Sequence, residues 1–162
     1  MDRSQKIMEE IHLESKDLFN EFHSTADKFK SLYETTMGKL DNIIKSNCGH
    51  IITWLEQNSD FSDQGPAPKD KSKTEEFDKN IKEIEVCIRK NDHGISDTLM
   101  EFENKVRLHD ASLNDNMRKC FGNKSDEEAK KCAKNLLGDT FKNIISLYKD
   151  EYQKIEDISK RI

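Results

Sequence analysis

Proline is almost missing from this chain. The only two, Pro66 and Pro68, lie in one short stretch, so nothing on either side of it forbids long helices. Long apolar runs are missing as well. No segment approaches the ~20 apolar residues that a membrane-spanning helix requires, so no membrane span is expected. There is no glycine-rich phosphate loop, no GxSxG elbow and no DxDxDG calcium loop. CxxC and HxxxH pairs are also absent, which removes the usual spacings of zinc and thioredoxin-like sites. Basic excess is lacking: 27 Lys and Arg face 32 Asp and Glu, leaving no net basic charge for a general nucleic-acid binder. A secretory signal is not visible, because Met1 leads straight into the charged stretch DRSQKIMEE. That start fits either a cytosolic chain or a mature secreted chain with an added methionine.

What is present is charge and periodicity. Hydrophobic residues make up 33% and charged residues 36%, too few apolar groups for a thick core. Disorder would pair such a composition with high net charge and no pattern. Here the formal charge is only -5, and the pattern is strong. Ile7, Ile11, Leu18, Phe22, Ala26, Phe29, Tyr33, Met37, Leu40, Ile44, Cys48, Ile51 and Leu55 form one stripe. From Phe22 onward its step averages about 3.67 residues, the spacing of a straight helical face. Phe77, Ile81, Ile84, Ile88, Ile95, Leu99, Phe102, Val106, Leu113, Met117 and Cys120 form a second. The third runs Ala129, Cys132, Ala133, Leu136, Leu137, Phe141, Ile144, Tyr148, Tyr152, Ile155 and Ile158.

The punctuation divides these stripes. NSDFSDQGPAPKDKSK, residues 58–73, reads as an exposed loop, and loops of that length are often functional. Ser72 with Glu75, and Ser125 with Glu128, have the spacing of capping boxes. Gly122 supplies a helix stop between them. The expected fold is all-α. It is a single domain over residues 1–162, an elongated antiparallel bundle of three long helices laid out like a spectrin-type repeat. Gly38 and Gly94 fall inside the first and second stripes, so breaks there would raise the strict count to four or five.

Four cysteines, Cys48, Cys87, Cys120 and Cys132, allow three disulfide pairings. Facing residues of an antiparallel hairpin have a constant index sum. A first turn near residue 65 brings Cys48 close to Cys87, and a second near residue 124 brings Cys120 close to Cys132. Two staples, Cys48–Cys87 and Cys120–Cys132, are therefore expected, with reduced core cysteines as the rival reading. Disulfides imply an oxidising compartment and hence a secreted, extracellular protein.

Chemistry beyond the staples is sparse. His12, His23, His50, His93 and His109 share no helical face, so no metal ligand set is expected. No catalytic residue and no cofactor site is identified, and an enzyme is not expected. Asn123-Lys124-Ser125 is a glycosylation sequon, which makes Asn123 a candidate acceptor. Trp54, the single tryptophan, and Phe61 in the loop are candidate partner-binding residues, because aromatic anchors are enriched at binding hot spots. Trp54 has an alternative role in widening the core stripe. KSK (71–73) and KNDH (90–93) are candidates for binding acidic partners, with solvated surface the favoured reading of both.

The stretch CFGNKSDEEAKKC (120–132) carries two cysteines across a helix turn. It sits in a Lys-, Glu- and Asn-rich helical chain with one more cysteine pair upstream. In this it resembles small secreted insect families: the mosquito salivary 30 kDa antigen (aegyptin-type) family, the anopheline salivary complement inhibitors and the tsetse EP-type domain. The resemblance covers about residues 80–160. Cysteine spacings are wider here than in the aegyptin-type domain, and the acidic Gly/Glu repeat preceding that domain is absent, so no functional residue carries over. The resemblance implies a secreted, salivary-type effector that binds a host protein and inhibits haemostasis or complement. Two other classes compete with it: an intracellular coiled-coil scaffold, and a carrier of lipid or small apolar ligands, which the narrow stripes disfavour.

Overall fold

The computed structural model describes residues 2–122 and 124–162. The chain is all-α apart from one small hairpin. Its elements are α1 (Arg3–Glu14), α2 (Lys16–Asn58), β1 (Ser59–Ser62), β2 (Gly65–Pro68), a short 3-10 turn (Lys71–Lys73), α3 (Thr74–Asn91), α4 (Ile95–Cys120) and α5 (Asp126–Arg161). Among the described residues there are five α-helices, where the stripes alone imply a bundle of three and breaks near Gly38 and Gly94 imply four or five.

The extra boundaries have local causes. At Ser15 the backbone turns out of helical geometry (φ -112°, ψ 22°), separating α1 from α2. Hydrogen bonds bracket the kink: Ser15 N–H donates to Ile11 O, and Phe19 N–H donates to Ser15 O. The α3–α4 boundary falls at Gly94, as expected, because His93 and Gly94 both adopt positive φ, 53° and 81°. Asp92, buried at that corner, accepts the Gly94 N–H at 2.9 Å and so tethers the turn. The break expected at Gly38 does not form. α2 is continuous over 43 residues, and Gly38 faces open space on its exposed side.

Residues 58–73, expected as a loop, are mostly ordered backbone. β1 and β2 pair antiparallel, with Ser59 opposite Pro68, Asp60 opposite Ala67, Phe61 opposite Pro66 and Ser62 opposite Gly65. The loop between the strands is only Asp63-Gln64, so Ser62 and Gly65 form the closing hydrogen-bonded pair. Pro66 and Pro68 then occupy non-hydrogen-bonded positions, where a missing N–H costs the ladder nothing. Asp70 accepts from Ser72 N–H and from its hydroxyl, so Ser72 serves the 3-10 turn. The box expected at Ser72 is not formed, since α3 begins after Lys73 with no side-chain cap. Ser125 does cap α5, accepting from Glu128 N–H at 3.3 Å.

The chain divides into two compact units. One comprises the residues up to Tyr33 together with Asp97–Asp157; the other is Glu34–Ser96 with Ile158–Ile162. The first unit holds a core of Ile7, Ile11, Cys120, Ala129, Ala133 and Leu137. Edge-to-face contacts extend it, with Phe22 meeting Phe141 at 5.3 Å and Phe102 meeting Tyr148 at 4.9 Å. Such pairs add about 0.5–1.5 kcal/mol beyond the area they bury. In the second unit Thr36, Leu40, Cys48, Ile51, Phe77 and Ile95 are buried. Its chain end is tied down where the Lys39 ammonium donates to Ser159 O and Oγ.

Candidate functional site

Both staples join the cysteines expected to pair. Cys48 of α2 is bonded to Cys87 of α3 with Cα atoms 6.0 Å apart, and Cys120 to Cys132 at 5.5 Å. Around the first, the Asn91 side chain donates from Nδ2 to Cys87 O at 2.7 Å, while its Oδ1 accepts from Asn47 Nδ2 at 2.6 Å. The staple closes the segment that carries the hairpin, so the helices at both roots of β1–β2 are covalently joined.

The hairpin is asymmetric along its length. Side chains two residues apart on a strand share a face. Ser59 and Phe61 therefore project from one face of β1, opposite Pro68 and Pro66 of β2. At the root that face is covered, with Ser59 only 4% exposed; toward the tip Phe61 is 72% exposed. An aromatic ring is thus held in water by a two-residue turn. Lys73 Nζ lies 3.5 Å from Asn58 Oδ1, a polar contact across the hairpin's base. Trp54 lies in α2 and is half-buried, with its carbonyl accepting from the Asn58 side chain at 2.8 Å. Of the two aromatic candidates, Phe61 is the solvent-presented one.

A second feature lies in the other unit, where α4 and α5 enclose a cleft of about 320 Å³. Glu151, 2% exposed, and Phe102, 8% exposed, form its buried lining. Glu101, Lys105, Asp150 and Lys154 supply exposed charges around it. Among the described residues, the Glu151 carboxylate meets one protein donor, the Thr98 hydroxyl, 3.1 Å from Oε1 and 3.2 Å from Oε2. One hydroxyl carries one proton, so the second oxygen receives none from it. Burial pushes the Glu151 carboxyl above the ordinary carboxylate value. The Thr98 bond and the Lys154 charge oppose that shift, Glu101 adds to it, and Lys105 opposes it. Lys105 is itself engaged, 3.0 Å from Glu101.

His12, His23, His50 and His93 are exposed and His109 is half-buried. Among the described residues, no group of three or more His, Cys, Asp or Glu side chains is arranged to hold a metal ion. No helix among them is long and apolar enough to cross a membrane. Asn123, the candidate glycosylation acceptor, lies outside the described residues. The cleft was missed by the pattern reading, although a signal exists. Ile144, Tyr148, Glu151, Ile155 and Ile158 follow each other in steps of four and three, placing a carboxylate on the buried stripe.

Comparison of the chain with family models, with curated proteins and with solved structures returned no match.

Proposed function

We propose that this chain is a non-enzymatic, secreted binding protein that grips a partner protein through its β-hairpin. The observation that carries the reading is Phe61, a large apolar side chain 72% exposed on an ordered two-residue hairpin. A ring kept in water costs solvation free energy, and a partner surface recovers it. Because the turn is short and its roots are joined by Cys48–Cys87, little conformational entropy remains to be lost on binding. Both disulfides support an oxidising, extracellular setting.

The resemblance to salivary families narrows the partner to a host protein of haemostasis or complement, or of the collagenous matrix. The test is a surface-immobilised panel of purified plasma, complement and matrix proteins, with wild type and Phe61→Ala as analytes. The reading expects saturable binding to one member, weakened at least about tenfold by the substitution. A panel with no binder, or a binder indifferent to Phe61, rejects it. Full activity of fully reduced protein would instead favour the intracellular scaffold.

A further inference from the structure

We propose that the α4–α5 cleft is a binding site for a small organic ammonium ion, with Glu151 as its counter-ion and Phe102 as its apolar wall. This is independent of the hairpin, which lies in the other unit.

The argument starts from an unmet valence. Glu151 is nearly solvent-free, yet the described protein groups offer its carboxylate only the Thr98 hydroxyl proton. A buried carboxylate ordinarily gathers several donors, since lost hydration must be replaced. Glu151 lines a cleft of about 320 Å³, room for a small organic molecule. The nearby lysines do not fill this role. Lys105 is held by Glu101 at 3.0 Å, and Lys154 is exposed.

The chemistry of the occupant follows from the lining. Glu101, Asp150 and Glu151 face the cleft against Lys105 and Lys154, so negative charge is in excess by one. An anion would meet an uncompensated buried carboxylate. A neutral apolar ligand would leave that carboxylate as poorly solvated as before. An ammonium group donates two or three charge-assisted hydrogen bonds, and its organic substituent covers Phe102 and Leu147. Thr98 holds the carboxylate in place, so the counter-ion is set before the ligand arrives.

Benzylammonium tests this, with benzyl alcohol as its neutral counterpart of the same shape. Both are titrated into isotopically labelled full-length protein at neutral pH, followed by amide shifts. The proposal expects benzylammonium to saturate, with the perturbed amides centred on Thr98, Phe102 and Glu151. Benzyl alcohol should bind at least about tenfold more weakly, as should benzylammonium to Glu151→Gln, because each removes a charge-assisted bond. Absence of saturation, perturbations centred elsewhere, or equal affinity for the alcohol overturns the proposal. Those outcomes are read on the wild-type protein, so the test holds even where the variant fails to fold.

Discussion

The Thr98 hydroxyl donates a single proton to Glu151, a buried residue whose two carboxylate oxygens lie 3.1 and 3.2 Å from the Thr98 Oγ1. The consequence is a pH dependence. Burial raises the folded-state pKa of Glu151 above its ordinary value of 4.5. The ionised carboxylate therefore weakens the fold at neutral pH. That penalty is relieved as pH falls through the raised value, and is gone below 4.5. Glu151→Gln keeps a partner for Thr98 without the charge. It should melt higher than wild type at pH 7, with the difference shrinking toward pH 4.5. Thermal melts across that range check it, and a variant that melts lower at pH 7 contradicts it.

Glu14 acts in the opposite sense. Hydrogen bonds from Lys130 and Lys134 hold its carboxyl down at about 2. Whatever stability this exposed cluster supplies is present above pH 4.5 and is lost as pH falls toward 2. Glu14→Gln should therefore lower stability slightly at neutral pH and match wild type near pH 2, which flattens the acid limb of the stability curve. An unchanged acid limb would assign the ion pairs no energetic role.

The two staples should differ in worth. Cys48–Cys87 spans 39 positions and Cys120–Cys132 spans 12. Loop-closure entropy gives about 4 kcal/mol for the first and about 3 kcal/mol for the second. Paired Cys→Ala variants, compared by denaturant unfolding, should rank in that order, and the reverse order would show that strain or packing outweighs chain entropy.

One substitution should act oppositely at two glycines. Gly38 is helical and a Cβ there meets nothing within 4 Å, so Gly38→Ala should stabilise by about 0.5–1 kcal/mol. Gly94 has φ +81°, so Gly94→Ala should destabilise by about 1–2 kcal/mol despite equally open space. Equal shifts at both sites would mean that side-chain space, not backbone conformation, governs these positions.

Phe61→Ala should leave stability within about 0.5 kcal/mol of wild type, because the ring is already in water. A larger loss in unfolding experiments would make Phe61 a packing residue rather than a contact residue.

These features differ in how far they could be read from residues alone. The helical class and both disulfides were legible, because apolar spacing fixes which positions face inward and hairpin arithmetic brings those cysteines together. The corner at Gly94 was legible for its glycine. The kink at Ser15 was not, since neither proline nor glycine marks it and hydrogen bonds continue through it. The hairpin was hidden by its prolines, which ordinarily argue against a strand but are harmless at alternate edge positions. Glu151 was hidden because Tyr152, its neighbour, also fits a helical stripe, and sequence spacing alone does not choose between adjacent positions.

The prolines of β2 restrict how the hairpin meets other chains. The N–H groups that would point outward from that strand belong to Pro66 and Pro68, which have none. Another chain therefore finds no row of donors there, and β2 cannot template strand addition or the edge-to-edge stacking that starts fibrils. Recognition along that edge falls to side-chain surface and to the outward carbonyls, a form of contact that tolerates a displayed phenyl ring without turning it into a nucleus for self-association.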